Sequence, residues 1–246
     1  MWIFCCGMQR SGSTLQFQIT ARLVEEAGLG KRVDWVKPQH FRKLRKQFAE
    51  DASWKVFKNH VCTDKMRKEF HRGNAMGIYC YRDLRDVMVS TMRKYEMSFA
   101  QLFDNGFVDD LLLQYQRWTA LPRVLVSKYE VMINDLAGEV ERIAGHLGIS
   151  LPAEKHKQVA DEHKIERQKE RIVNAKQKGA LRAGVVDSVL FDPHTNLHTN
   201  HIHQGEIGGW KGTLSHEQVK LLEAKAAKWL EEHGYELVQD SPAMLV

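Results

Sequence analysis

The segment Gly7-Met8-Gln9-Arg10-Ser11-Gly12-Ser13-Thr14 most limits what this chain can fold into. A short apolar run, Trp2-Ile3-Phe4-Cys5-Cys6, leads into it, and a helix-like run from Leu15 to Glu26 follows. The order is strand, glycine-rich loop, helix. Such a loop turns several backbone N–H groups toward one point. The helix N-terminus adds partial positive charge there, so a phosphate or sulfate is the natural guest.

The spacing follows a P-loop as far as the second glycine. A P-loop then places lysine before its Ser/Thr pair; here Gly12 precedes Ser13-Thr14, and the positive charge comes from inside the loop, at Arg10. That exchange separates two kinds of group-transfer chemistry.

The rest of the chain continues the alternation. Trp54 to Lys58, Met76 to Tyr81 and Val124 to Val126 read as strands. Helices are expected at 13–27, 39–52, from Thr63-Asp64 to about Arg72, and from Asp86 to Tyr95. Further helices are expected from Leu111 to Leu121, from Asp135 to Leu147 with Gly148 as stop, and from Ser215 to Gly234. Strands alternating with helices predict an α/β fold with a central parallel sheet flanked by helices and right-handed crossovers. Residues 153–182 are charged and read as a solvated helix or helix pair, and 183–209 as a long loop. The expectation is a single domain over residues 1–246, with 183–209 covering the ligand.

Composition narrows the class. With 246 residues, 43% apolar and 27% charged, the chain suits one globular domain. The net charge of +5 suits an anionic small ligand. Lys and Arg are interspersed with Glu, which argues against nucleic acid. No apolar run is long enough to span a membrane, and the first residues read as a core strand rather than a signal peptide. Cys5, Cys6, Cys62 and Cys80 all fall in or beside strands and read as buried, reduced thiols. A cytoplasmic location is expected.

Two further segments carry chemistry. Arg82 leaves the carboxyl end of a strand, where open α/β sheets bind ligands, and Ser90 lies two helical turns on. An arginine and a hydroxyl so placed can hold a second phosphate; the plainer reading pairs Arg82 or Arg85 with Asp83 or Asp86. Lys58 and His60 share one side of the chain after another strand. The lysine can neutralise a leaving group, and the histidine can take a proton from an acceptor hydroxyl.

Together these segments resemble the sulfotransferases that use 3′-phosphoadenosine 5′-phosphosulfate (PAPS). That family's first loop, with a basic residue before Ser-Gly and two hydroxyl residues, is similar to Gln9 through Thr14. Its second signature, an Arg with an Asp four and a Ser eight residues on, matches Arg82, Asp86 and Ser90. Its K-x-H element matches Lys58 and His60, and its Tyr-Glu element matches Tyr129-Glu130. Its late G-x-W-K element matches Gly208-Gly209-Trp210-Lys211.

The resemblance implies a P-loop-like fold and sulfuryl transfer from PAPS, with adenosine 3′,5′-bisphosphate (PAP) as product. It implies His60 as general base, with Lys58 and Arg10 at the transferred group. It also implies nucleotide binding by Gln9, Arg10, Ser11, Gly12, Ser13, Thr14, Arg82, Ser90, Tyr129, His203, Gly205, Trp210 and Lys211, and no metal. The match departs at Leu15, where the cytosolic animal enzymes carry a Trp that stacks on adenine, and at His203-Gln204-Gly205, where they carry Arg-Lys-Gly. The chain looks closer to the shorter bacterial-type members.

Competing readings are a P-loop kinase-like phosphotransferase and a non-catalytic nucleotide-binding protein. His194, His198, His201 and His203 invite a zinc reading, but no cysteine lies near them and Asn and Thr interleave. Phe99, Phe103, Phe107 and Leu111 at helical spacing read as core rather than as a substrate box. The acceptor (small molecule, glycan or lipid) and the oligomeric state are not readable from the sequence.

Overall fold

The computed structural model describes residues 1–184, 189–193, 195–199 and 206–238. In chain order the elements are β1 (Trp2–Gly7), α1 (Ser13–Glu26), β2 (Gly30–Trp35), α2 (Phe41–Gln47), β3 (Trp54–Lys58), α3 (Asp64–His71) and β4 (Ala75–Tyr81). There follow α4 (Leu84–Tyr95), α5 (Phe99–Asp104), α6 (Phe107–Thr119), β5 (Val124–Lys128), α7 (Tyr129–Asn134), α8 (Leu136–Leu147), α9 (Ala153–Glu162) and α10 (Ile165–Gln177). The short strands β6 (Arg182–Ala183), β7 (Leu190–Asp192) and β8 (Leu197–His198) precede α11 (His216–Glu232).

The main sheet runs β2-β3-β1-β4-β5, with every neighbouring pair parallel. The α/β expectation therefore holds. β1 is central, and its six residues are all buried, as a parallel strand covered on both faces requires. Alternate residues feed two cores. Trp2, Phe4 and Cys6 pack with Phe41, Phe57, Phe70, Tyr79 and Trp118 on one face. Ile3 and Cys5 pack with Phe17, Val24, Val140 and Ile143, from α1 and α8, on the other. From β1 the chain goes first to the edge strand β2, returns to β3 beside β1, then crosses to β4 on the other side. That switch opens a crevice at the carboxyl ends of the strands.

The structure departs from the sequence reading in several places: α5 and α7 are additional helices, and α6 begins at Phe107 rather than Leu111. β2 is an additional strand: Gly30-Lys31-Arg32-Val33-Asp34-Trp35 carries its charges at the sheet edge, where charge guards against stray pairing and obscures apolar alternation. The 39–52 helix shortens to the seven residues of α2. The segment read as a long loop contains a three-stranded antiparallel sheet, β6-β7-β8.

Elsewhere the expected signals operate. Thr63 caps α3, Asp135 caps α8, Gly148 stops α8, and Ser215 with Gln218 forms a capping box on α11. Phe99 and Leu111 are buried, with Phe103 and Phe107 packed against the same core. The four cysteines are buried and unbridged, and burial pushes Cys5 up to about 12 and Cys62 up to about 11.

Candidate active site

β1 delivers the chain into the loop at the crevice, and two glycines set its path. A Cβ at Gly7 would lie 2.6 Å from the Cys80 carbonyl oxygen, so only glycine lets the loop approach β4 so closely. Gly12 has φ of +85°, and a Cβ there would sit 2.7 Å from the Tyr129 ring. Ser11 is wholly buried; its Oγ donates to the carbonyls of Met8 at 2.7 Å and Cys80 at 2.8 Å. Ser11 thus pins the loop to β4 rather than facing a ligand. Arg10 adopts φ of +63°, a left-handed conformation that a non-glycine residue holds at a cost of order 1 kcal/mol or more.

α1 begins at Ser13 with no side chain capping its N-terminus. The first backbone N–H groups of a helix have no intrahelical partner, and here they open into the cleft lined by Gly12, Ser13 and Thr14. Arg10 Nε donates to Ser90 Oγ at 2.9 Å, which joins the loop to α4. Lys58, at the end of β3, is buried, and its Nζ donates to Thr14 Oγ1 at 2.6 Å. Burial, followed by the charges of Lys94 and Arg10, lowers the Lys58 ammonium to about 7.

His60 follows β3 and is half-buried. Its Nδ1 lies 2.8 Å from the Gly7 carbonyl oxygen. That oxygen only accepts, so Nδ1 carries the proton and Nε2 keeps the lone pair. Burial first, then Lys58, pushes the imidazole down to about 3, so the ring is neutral at physiological pH. Its backbone is held as well: Trp118 Nε1 donates to the His60 carbonyl at 3.1 Å.

Arg82 leaves β4 buried, 4.4 Å over the Tyr129 ring. It pairs with Asp86 at 3.3 Å and donates to the carbonyl of Glu206. Its buried Nε has no hydrogen-bond partner among the described residues. Arg82 is thus ion-paired to Asp86 and also lines the cleft. Asp86 also accepts from the backbone N–H of Gly208 at 2.8 Å and of Trp210 at 3.1 Å.

That last contact corrects one expectation. Trp210 does not line the cleft; it is buried against the Arg85 guanidinium at 4.1 Å. Arg85 in turn bonds Asp83, Glu223 and the carbonyl of Glu236. Lys211 is exposed beside Trp210. The late Gly-Gly-Trp-Lys turn is thus held to α4 by Asp86, and only Gly209 of it reaches the cleft. His203 and Gly205, with His194 and His201, lie outside the described residues. His198 stacks on Phe191 at 5.3 Å and lines the cleft.

Gln9, Arg10, Gly12, Ser13, Thr14, Lys58, His60, Arg82, Ser90 and Tyr129 therefore meet on one cleft of about 1380 Å³. Pockets for drug-sized ligands measure about 300–1,000 Å³, so this one has room for a nucleotide and a second molecule. Sequence reasoning missed part of its wall. Gln18 on α1, Gln168 on α10 and Asn196 in the β7–β8 turn are buried and line the cleft. Gln18 Oε1, both polar atoms of the Gln168 amide, and Asn196 Nδ2 have no hydrogen-bond partner among the described residues. Gln18 and the turn are joined directly, through Gln18 Nε2 donating to the Thr195 carbonyl at 3.0 Å. No local motif marks amides that come together only through tertiary folding. Trp35 and Lys94, also unanticipated, line the same cleft. Among the described residues, no group of three or more His, Cys, Asp or Glu side chains is placed to hold a metal ion. No helix among them is long and apolar enough to cross a membrane.

Comparison with known proteins gives a consistent result. The profile of the sulfotransferase domain matches residues 2–234. A 3-beta-hydroxysteroid sulfotransferase of Cavia porcellus is 26% identical over 149 residues, 53% of this chain and 50% of that protein, so the matched part spans half the length of that relative. Among solved structures, mouse sulfotransferase SULT7A1 complexed with PAP superposes with a TM-score of 0.66 at 16% identity, covering 94% of this chain and 87% of that one. Retinol dehydratase in complex with androsterone and inactive cofactor PAP gives 0.60 at 18% identity, covering 99% and 83%. At these identities the structural likeness is one of fold.

Proposed function

Because the chain belongs to the sulfotransferase domain family, we propose that it moves a sulfuryl group from PAPS to a hydroxyl or amine of a small-molecule acceptor. The observation that carries this reading is the convergence of an uncapped helix N-terminus, Arg10 and Lys58 beside His60 in one cleft. The residues present suit the donor. The α1 N-terminus with Arg10 and Lys58 suits its phosphosulfate end. Arg82, with its orphaned Nε, and Ser90 suit the 3′-phosphate. The amide atoms of Gln18, Gln168 and Asn196 that have no partner among the described residues suit the polar edge of a purine. The stacked Phe191–His198 pair offers an aromatic face where Leu15 provides no indole.

When bound, PAPS supplies a sulfuryl group whose bond to the 5′-phosphate oxygen breaks as a bond to the acceptor oxygen or nitrogen forms, leaving PAP. His60 receives the acceptor's proton at Nε2. Lys58 and Arg10 face the negative charge that gathers on the departing phosphate oxygen. Thr14 holds the Lys58 ammonium in place. α9 and α10 wall the same cleft, which supports one working domain over residues 1–246. Four buried thiols suit a reducing cytoplasm.

Calorimetry tests the nucleotide. PAP is expected to bind in the micromolar range without Mg²⁺, and at a hundred times its Kd to stabilise the fold by about 2.7 kcal/mol. Binding of ATP with Mg²⁺, and none of PAP, would return the chain to a kinase-like reading. The amide wall has its own test. Gln168→Leu is expected to erode the preference for PAP over guanosine 3′,5′-bisphosphate by roughly tenfold, the scale of one good base contact. Unchanged affinity for both would remove Gln168 from base recognition.

A further inference from the structure

Asn59 stands between Lys58 and His60, and unlike them it is not among the residues that line the cleft. It is 1% exposed, and both ends of its amide are engaged. Nδ2 donates to the Val36 carbonyl at 2.6 Å, one residue past the end of β2. Oδ1 accepts from the Val61 N–H at 2.7 Å. This second bond closes an Asx turn, in which a side-chain oxygen takes up the N–H two residues on. The backbone on either side is tied as well. The Asn59 N–H donates to the Cys5 carbonyl at 3.1 Å, and the Val36 N–H to the Lys58 carbonyl at 3.1 Å.

His60 therefore sits inside a bridge built by its neighbour. Asn59 anchors the residue before it to the β2 end and the residue after it to the Asn59 side chain itself. The Gly7 carbonyl then holds the ring, and Trp118 holds the His60 carbonyl. Neither of these sets where the chain bends as it leaves β3; the Asn59 amide does. We propose that Asn59 is a positioning residue for sulfuryl transfer, whose amide fixes the turn that presents His60 Nε2 to the acceptor while touching neither donor nor acceptor. This rests on the assignment of His60 as the base. A displacement of the base by about 1 Å is enough to cost about 10² in rate, so a buried amide one residue away has leverage on catalysis without contact with substrate.

Single-turnover rates with saturating PAPS, PAP calorimetry and the NMR titration of the His60 ring test it together. Asn59→Ala is expected to lower the rate by about 10² and to leave the Kd for PAP unchanged. Serine keeps an oxygen that can accept from the Val61 N–H, so Asn59→Ser is expected to lose no more than about tenfold. In a His60→Ala background, Asn59→Ala is expected to slow the reaction no further, because the amide acts through the ring. The His60 ring, held in its buried place, is lowered to about 3 by burial first and then by Lys58. Released from the turn in Asn59→Ala it should gain water and titrate closer to 6.5, while Lys58, Lys94 and Arg10 still bear on it. Asn59→Leu, close in volume and lacking both bonds, replaces Asn59→Ala if that variant does not fold. A near-normal rate in Asn59→Ala overturns the proposal. So does an equal loss in Asn59→Ser with the His60 titration unmoved, a weakened Kd for PAP, or a full further loss on top of His60→Ala. Near-normal turnover in His60→Ala alone strikes instead at the base assignment.

Discussion

Replacing His60 by alanine is expected to lower turnover by about 10²–10⁴ while leaving PAP affinity nearly unchanged. The ring is the part at risk, not the loop. The His60 carbonyl is held by Trp118, and the neighbouring Val61 N–H is held by Asn59 Oδ1 at 2.7 Å, so the backbone stays put without the imidazole. The Gly7 carbonyl fixes the tautomer, leaving Nε2 as the only basic site on the ring. The pH profile adds a second check. The folded-state value is lowered to about 3, so the imidazole is already neutral throughout the neutral range and charges only far below it. The acid limb of kcat/KM is therefore expected well under the ordinary histidine value of about 6.5. Near-normal turnover in His60→Ala, in single-turnover assays with saturating PAPS, would move the base elsewhere.

Lys58 gives the opposite limb. Its folded-state value is lowered to about 7, so it is charged below that pH and neutral above it. An anion beside it favours the charged form and raises that value again. Above pH 7 each PAP that binds must then bring a proton to Lys58. The Kd for PAP should rise about tenfold per pH unit from there, until the pKa of the bound state is reached. Calorimetry in buffers of different ionisation enthalpy should count that proton directly. Lys58→Met keeps the volume and removes the charge. It is expected to flatten this dependence and to lower turnover by about 10²–10³, the scale of losing one charge-stabilising donor. A variant that retains the alkaline rise in Kd would show that some other group takes up the proton. The two limbs together place the best pH for donor capture below 7, bounded on the acid side by phosphate protonation near pH 6 rather than by the histidine.

How much of this was readable in advance follows physical lines. β1, β3 and β4 are buried on both faces, so their apolar runs are continuous and visible. The loop between β1 and α1 announced itself because its glycines and hydroxyls answer a purely local demand. Lys58, His60, Arg82 and Ser90 were found because each stands a fixed step from a strand end. β2 was missed because an edge strand protects itself with charge, which erases the alternation that marks a strand. The amides of Gln18, Gln168 and Asn196 come from three distant parts of the chain, and an isolated Gln carries no pattern at all. Trp210 was assigned to the nucleotide on resemblance alone. Its burial under Arg85, and the grip of Asp86 on its backbone, show that a recurring motif can mark what holds a site together rather than what touches the ligand.

The left-handed backbone of Arg10 has a consequence for how this chain would respond to selection. Glycine adopts that conformation without strain, so substitution there would relieve the fold even as it strips the loop of its charge. Position 10 is thus a place where stability and activity pull in opposite directions. A population screened only for heat tolerance would have a downhill route to inactivity through that one residue. Any programme to harden this protein must therefore hold Arg10 constant and gain its stability from the far side of the sheet.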